Sequence, residues 1–173
     1  MAELLNLVTV PDERLRICSE DILQIDLEIK DLFYSMVNTM YHSEGIGLAA
    51  IQVGIPKNII VIDIDNLEEI SSFEYPICLI NPQISVLNSK TCSMQEGCLS
   101  VPGEYVKVVR PSSILVQYLN LEGQQCQMKA EGLLARVIQH ECDHLKGKLL
   151  IDYLSHLEQD KVLERAALKK SIL

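Results

Sequence analysis

The sequence lacks the features that several classes of protein require. It has no tryptophan and only two phenylalanines among its 173 residues, so its core must be built mainly from aliphatic side chains. No stretch approaches the ~20 apolar residues of a membrane-spanning helix. The N-terminal residues 1–5 lack the basic segment and the long apolar run of a secretory signal peptide. The net charge is −9 and the sequence has no cluster of basic residues. Both features argue against a dedicated nucleic-acid-binding protein.

The cysteines do not form a disulfide pattern. Six are present, at positions 18, 78, 92, 98, 126 and 142, and no two of them form a C-x-x-C pair. Hydrophobic residues make up 48% of the chain, enough for a core that needs no disulfides. We therefore expect a cytoplasmic protein with free thiols. Its length suits a single domain covering residues 1–173.

The hydrophobic pattern predicts both helices and strands. An apolar stripe that includes Leu27, Met36 and Met40 follows Asp26, a plausible N-cap, and predicts a helix to about His42. Strands are predicted at 58–65, 77–80, 83–87, 105–110, 113–119 and 124–130, with a loop at 66–75, a hairpin turn at 120–123 and a last helix at about 155–170. The expected fold is α+β, with short antiparallel strands wrapped around a central helix and a C-terminal helix.

The central helix is predicted to carry the H-E-x-x-H motif of residues 140–144. Residues four apart lie on one face of a helix, so His140 and His144 both reach a single metal ion. Glu141 is placed to contact a water molecule in the same site. The flanking segments 133–138 and 145–150 are largely apolar. A polar cluster on a buried helix needs a partner, and a metal ion is the simplest one.

A catalytic metal needs a third protein ligand. A third histidine in the pattern H-E-x-x-H-x-x-G-x-x-H is excluded, because Leu150 occupies its position. A glutamate on a later helix stays open, since Glu164 follows at an acceptable spacing, although its basic neighbours are typical of a solvated side chain. Cys98 is a further candidate, but the residues alone do not favour it over Cys92 or Cys126.

The glycine-rich segment 45–54 formally fits a dinucleotide-binding fingerprint, through Gly45, Gly47 and Ala50. That interpretation is excluded because a helix, and not a strand, precedes the glycines, and Pro56 leaves no room for a helix after them. The segment is instead predicted to be backbone that another chain approaches closely.

Three stretches together resemble the peptide deformylase family. They are Gly-Ile-Gly-Leu-Ala-Ala-Ile-Gln at 45–52, Glu-Gly-Cys-Leu-Ser at 96–100 and Gln-His-Glu-Cys-Asp-His-Leu at 139–145. They occur in the family's order and at fitting separations, and shorter similarities at 11–16, 59–63, 81–82, 101–102 and 152–154 extend the resemblance over most of the chain. Members of this family remove the formyl group from the N-terminal formylmethionine of new bacterial polypeptides.

The resemblance implies a metal centre and its catalytic groups. Cys98, His140 and His144 are its expected ligands, and Fe²⁺ is the expected metal, with Zn²⁺, Ni²⁺ or Co²⁺ as substitutes, although the ligand types alone favour zinc. Glu141 is the expected general base and acid, taking a proton from water on the metal and delivering one to the leaving amine. The expected oxyanion donors are the Gln52 amide and the Leu99 backbone N–H.

The resemblance also implies how substrate binds. An N-formylmethionyl nascent polypeptide is expected to add as a β-strand to backbone at Gly45, Ile46, Gly47 and Gly97. Val137 is expected to face the methionine side chain. Transient ribosome contact is the only further partner implied, with no nucleic-acid or membrane binding.

Some positions depart from the family pattern or carry a second role. Arg136 stands where an apolar residue is more usual, and Tyr105 where some members have arginine; neither is expected to touch the chemistry. Glu96 and Arg110 are expected to pair and brace the cysteine loop, and Asp143 is either an outer partner of the site or a surface acid. The competing hypotheses are a peptidase with Glu164 as ligand and a non-catalytic metal-binding or ribosome-associated module.

Overall fold

The structure is a computed structural model that describes residues 3–64 and 74–172. Within these ranges the helices are α1 (Leu27–His42), α2 (Gly132–Leu145) and α3 (His156–Ile172). The strands are β1 (Gly47–Ala49), β2 (Ile59–Ile62), β3 (Ile77–Val86), β4 (Thr91–Gly97), β5 (Tyr105–Pro111), β6 (Ser113–Leu119) and β7 (Gln125–Glu131). Most of the loop predicted at 66–75 lies outside the described residues.

The strands form two antiparallel sheets. The larger sheet has the order β1-β2-β3-β6-β7, and β4 pairs with β5 in the smaller one. The two strands predicted at 77–80 and 83–87 are one strand, β3, whose register shifts between Ile80 and Gln83. Asn81 has a φ of 51° there, a left-handed conformation that asparagine tolerates better than most residues. The prediction of an α+β fold is confirmed.

Two predictions of local structure were wrong. Leu27 was expected to face the core with Met36 and Met40, but it is 78% exposed while both methionines are fully buried. Strand β4 was not predicted at all, because Thr-Cys-Ser-Met-Gln-Glu-Gly alternates apolar and polar residues only over its first five positions and contains one β-branched and no aromatic residue. Of its residues only Glu96 is buried, so tertiary pairing with β5, and not burial, defines this strand.

Helix α2 is buried between the sheets. Leu134, Ala135 and Ile138 pack into the same apolar cluster as β2, β3 and β6. The helix ends at Leu145, as the sequence predicts, because Gly147 has a φ of 70° and a Cβ there would lie 2.4 Å from the Arg16 carbonyl oxygen. Among the described residues, no helix has the length and apolar character needed to cross a membrane.

Helix α3 begins after the predicted capping residue. The Glu158 carboxylate accepts a hydrogen bond of 3.0 Å from the Ser155 backbone N–H. Val162 is buried against Leu149 and Ile151. The helix is therefore attached to the turn that follows α2, at some distance from the histidines.

Candidate metal centre

Two elements bring three metal-ligand side chains together. Helix α2 supplies His140 and His144, and Cys98 directly follows β4. One donor atom from each of the three lies within 4.8 Å of the others. The Cys98 Sγ is 3.2 Å from the His144 Nε2. Of the cysteines that the residues alone left open, the structure places Cys98 beside the two histidines.

The chemistry of these donors fits a divalent cation. Burial and the nearby charge of His140 hold the pKa of His144 well below its usual value, which leaves the neutral imidazole that a metal requires. Burial lowers the pKa of His140, but hydrogen bonds with Cys98 and Glu96 raise it by a larger amount. The net result is a pKa well above the usual value. The groups that favour a proton on this histidine would equally favour a metal ion. A thiolate with two imidazoles suits zinc, iron or nickel better than calcium or magnesium.

The other candidate ligands lie elsewhere. Glu164 is exposed on α3 and does not belong to the group, so the peptidase interpretation loses its third ligand. Cys92 is exposed on β4. Cys142 is buried in the apolar cluster around α2, and this burial raises the pKa of its thiol to about 12.

Glu141 is buried beside the three donors. Burial raises the pKa of its carboxyl group to about 7, although the positive charges of His140 and Arg110 oppose the shift. Its Oε2 atom is buried and has no hydrogen-bond partner among the described residues. An unpaired buried carboxylate oxygen is costly, so its retention here suggests a functional reason.

Gly47 leaves the space that the Glu141 carboxylate occupies. A Cβ at this position would lie 2.5 Å from Glu141 Oε1 and 2.9 Å from Val137 Cγ1. Both distances are far below van der Waals contact, so any side chain would displace the carboxylate. The position of the Glu141 carboxylate therefore requires a glycine here.

We expect Gly47→Ala to retain bound metal and to lower kcat/KM about a hundredfold. The new methyl group would push the Glu141 carboxylate out of its position, and small misplacements of a catalytic group cost about this much in rate. Steady-state kinetics with a formylated peptide, together with metal analysis, tests this. Gly123→Ala is the control, since that glycine lies in the β6–β7 turn with a φ of 78°. The control should lose stability without losing activity, and unchanged kinetics for Gly47→Ala would contradict the assigned contact.

Gln52 has both a structural contact and a contact with the ligand group. Its Oε1 accepts a hydrogen bond of 2.8 Å from the Ala49 backbone N–H. Its Nε2 donates to Ser100 Oγ at 3.1 Å and lies 3.7 Å from Cys98 Sγ. Within the described residues, the backbone N–H of Leu99 has no hydrogen-bond acceptor. Of the two predicted oxyanion donors, Gln52 therefore lies beside Cys98 Sγ, and the Leu99 N–H belongs to the next residue in the chain.

A cleft of about 650 Å³ lies over these groups. It runs between β1 and β4, each of which has one unpaired edge. The Ile46 carbonyl accepts a 3.0 Å hydrogen bond from the Asp63 N–H, and since backbone groups alternate along a strand, those of Gly47 face the open edge. All residues predicted to bind substrate line the cleft, namely Gly45, Ile46, Gly47, Gly97 and Val137.

A buried ionic network supports the histidine ligand. Glu96 Oε2 is 2.9 Å from the His140 Nδ1, and the Glu96 carboxylate also accepts two hydrogen bonds from Arg110, at 2.7 and 2.9 Å. Burial raises the pKa of Glu96, but hydrogen bonds with His140 and Arg110 lower it by a larger amount. The net result is a pKa of about 2. Arg110 also donates to Asp143 at 2.9 Å, and Tyr153 donates to the same carboxylate oxygen at 2.6 Å. The expected Glu96–Arg110 pair is present, and Asp143 is an outer partner of the site.

Arg136 was expected not to touch the chemistry, and its side chain lies one contact away from the candidate ligands, on Glu96. Its Nη1 donates to Glu96 Oε1 at 2.5 Å, and Glu96 holds His140. The sequence contained a signal for this, since an arginine in an apolar helix flank needs a buried partner. Tyr105 lies on the rim of the cleft and is exposed. Sequence reasoning did not single out Ser100, which accepts a hydrogen bond from Gln52, or Tyr153, which donates one to Asp143.

A carboxylate beside a thiolate and two imidazoles, at the base of a cleft with two free strand edges, is typical of a metal-dependent hydrolase. The polypeptide deformylase family model matches residues 4–160. The chain therefore belongs to the peptide deformylase family, metal-dependent hydrolases that remove the formyl group from nascent peptides.

Relatives of known name agree over nearly the whole chain. The chain is 46% identical to the peptide deformylase of Rickettsia akari over 165 residues, covering 94% of each protein. It is 44% identical to peptide deformylase 1 of Pseudomonas syringae over 162 residues, again covering 94% of each.

Solved structures of the family share the fold. The peptide deformylase of Ehrlichia chaffeensis, in complex with actinonin, has a TM-score of 0.90 and 43% identity, with 96% of this chain and 98% of that chain covered. The Thermotoga maritima enzyme has a TM-score of 0.81 and 37% identity, with coverage of 88% and 99%. The resemblance inferred from the three motifs is confirmed.

Proposed function

We propose that this protein deformylates N-formylmethionyl nascent polypeptides, with Cys98, His140 and His144 as metal ligands and Glu141 as general base and acid. The observation that supports this most is the position of the buried Glu141 carboxylate beside the donor atoms of Cys98, His140 and His144. One oxygen of this carboxylate has no hydrogen-bond partner among the described residues. This arrangement has the parts of a hydrolytic site, a metal-binding group and a proton carrier, within one cleft.

Glu141 moves the protons of the reaction. A divalent cation in the site would act as a Lewis acid and make water more acidic. The Glu141 carboxylate accepts a proton from water as the water oxygen bonds to the formyl carbon. It returns that proton to the amine, which leaves when the formyl C–N bond breaks and formate is released. The burial that raises its pKa to about 7 brings its affinity for the proton close to that needed for both transfers at neutral pH.

Gln52 and Leu99 stabilise the negative charge that develops on the formyl oxygen. The Gln52 Nε2 lies 3.7 Å from Cys98 Sγ, and Gln52 is held in place through its bonds to Ala49 and Ser100. The Leu99 backbone N–H follows Cys98 directly in the chain. Because these donors are already oriented, they need not reorganise during the reaction. Loss of one such donor typically costs about 3 kcal/mol of transition-state stabilisation.

The two open strand edges bind the peptide. Backbone of Gly47 on β1 and of Gly97 on β4 pairs with an extended substrate, which gives affinity with little dependence on its sequence. The formylmethionine side chain enters the apolar part of the cleft, where Val137 and Ile46 lie. This suits an enzyme whose substrates share only their first residue.

Turnover of formyl-Met-Ala-Ser by anaerobically purified protein tests the proposal. We expect release of formate and of a free N-terminal amine, with no cleavage of unformylated Met-Ala-Ser. Formate is measured with a coupled dehydrogenase, and the peptide products by mass spectrometry. Cleavage at an internal peptide bond would favour the peptidase hypothesis, and binding of metal without any turnover would favour a non-catalytic module.

Fe²⁺ is the metal that we propose for the active enzyme. We expect the Fe²⁺ form to lose activity in air, because ferrous iron and the Cys98 thiolate are both open to oxidation, whereas the Ni²⁺ form should stay active. Residual activity is followed over time in air and under argon for both forms. Equal persistence of the two forms in air would contradict the assignment of iron.

We further propose that residues 1–173 form one catalytic domain that acts in the cytoplasm, where nascent chains emerge. Ribosome contact is then transient, since the net charge of −9 offers little attraction to RNA. Cosedimentation with ribosomes that persists at high salt would contradict this.

A further inference from the structure

Strand β4 is weakly held by apolar contacts, although it leads directly into Cys98. Among its residues only Glu96 is buried. Its partner β5 contributes two buried apolar side chains, Val106 and Val108. The position of β4 against α2 therefore depends on polar contacts that join this hairpin, β4–β5, to the helix, and Cys98 follows the strand directly.

Arg136 makes three of those contacts from the middle of α2. Its Nη1 donates to Glu96 Oε1 at 2.5 Å and to the Val108 carbonyl at 3.1 Å, and its Nη2 donates to the Cys92 carbonyl at 2.6 Å. One guanidinium thus binds both strands of the hairpin. Its side chain is only 6% exposed, so these bonds are shielded from competition with water.

A second connection starts from Arg110, the β5 residue that pairs with Cys92. Arg110, on β5, donates to Asp143 of α2 at 2.9 Å as well as to Glu96. This connection involves β5 and the side chain of Glu96, but not the backbone of β4. Arg136 is accordingly the side chain that fixes the β4 backbone at Cys92, and Arg110 should keep the hairpin folded without it.

We propose that Arg136 is a positioning residue that fixes strand β4, and with it Cys98, against the helix that carries His140 and His144. It touches neither substrate nor metal, and acts through the Cys92 carbonyl and through Glu96. The proposal rests on the ligand assignment of the proposed function for its effect on metal affinity, but its effect on β4 is independent of that assignment.

Two substitutions separate the charge of Arg136 from its geometry. Arg136→Met keeps the length and the apolar part of the side chain and removes all three hydrogen bonds. Arg136→Lys keeps the positive charge next to Glu96, but a single ammonium cannot reproduce the planar fork that spans Glu96 and Cys92. Arg165→Met is the control, since Arg165 forms a two-bond ion pair with Glu104 on the surface.

Amide hydrogen exchange of residues 92–97 in metal-free protein measures the positioning directly. We expect exchange there to accelerate about tenfold in both Arg136 variants, because a buried bond from a charged donor is lost, with α1 unchanged. Competition with a chromophoric chelator measures Zn²⁺ affinity, which should fall roughly 10- to 100-fold in Arg136→Met, the range for residues that support metal ligands. Arg165→Met should match the parent in both measurements.

Each outcome decides one question. Parent-like exchange in β4 of Arg136→Met would overturn the proposal, and a lysine variant with parent-like exchange would show that charge alone suffices, which also overturns it. Faster exchange with unchanged Zn²⁺ affinity would show that Arg136 holds β4 but does not position Cys98, which contradicts that part of the proposal. Should Cys98→Ala itself retain metal, the ligand assignment fails, while the exchange measurement still decides whether Arg136 holds β4.

Discussion

Glu141→Ala is expected to retain its metal and to lose almost all deformylation, with kcat falling roughly a thousandfold. The substitution removes the group that carries protons between water and the leaving amine, but no metal ligand. The structure supports this separation, because one Glu141 carboxylate oxygen has no hydrogen-bond partner among the described residues, whereas the converging donor atoms belong to Cys98, His140 and His144. Formate release and metal content are measured on the same preparation.

Glu141→Gln refines the test, since it keeps the volume and polarity of the side chain and lacks only its proton affinity. It should be as inactive as the alanine variant, which would exclude a simple packing effect against Gly47. Near-normal turnover by either variant would show that the general base lies elsewhere.

Cys98→Ala should lose bound metal, and activity with it. Two histidines alone seldom hold a divalent cation tightly, and catalytic sites of this type use three protein ligands. The remaining donors, His140 and His144, stay in place on α2, so the protein should fold while its metal content falls. Elemental analysis after dialysis against a weak chelator measures the occupancy.

Glu164→Ala is the matched comparison for the cysteine variant. Glu164 is exposed on α3, so its removal should cost under about 1 kcal/mol of stability and leave metal and turnover at the level of the parent. The reverse pattern, with metal lost from Glu164→Ala and kept by Cys98→Ala, would restore the peptidase hypothesis and overturn the ligand set proposed here.

The parts of the site that the sequence predicted are those set by local geometry. His140 and His144 share a face because helical spacing requires it, and Gly147 ends their helix because of its own backbone conformation. Cys98 was different. Its position near the histidines depends on tertiary contacts between segments far apart in the sequence, including the pairing of β4 with β5. Residue patterns alone therefore did not favour Cys98 over Cys92 or Cys126, and only the family resemblance did.

Arg136 illustrates why the supporting contacts were harder to predict. Its partners, Glu96, Cys92 and Val108, come from a hairpin far away in the sequence, and two of the three acceptors are backbone carbonyls, which have no sequence signal. Leu27 shows the opposite error, since its place in an apolar stripe did not ensure a neighbour to pack against. Periodicity predicts which face of an element is apolar, but tertiary contacts decide how much of it is covered.

Within the part of the chain that the structure describes, β1 and β4 each have one unpaired edge, which creates a risk of self-association as well as the proposed binding site. An open strand edge offers its backbone to any extended chain, including a second copy of the same protein. Here β1 spans only Gly47–Ala49, too short to template a long ladder, and β4 carries small and polar residues with few apolar ones. The weak strand character that hid β4 in the sequence thus disfavours fibre-like stacking, while leaving the edge free for a passing polypeptide.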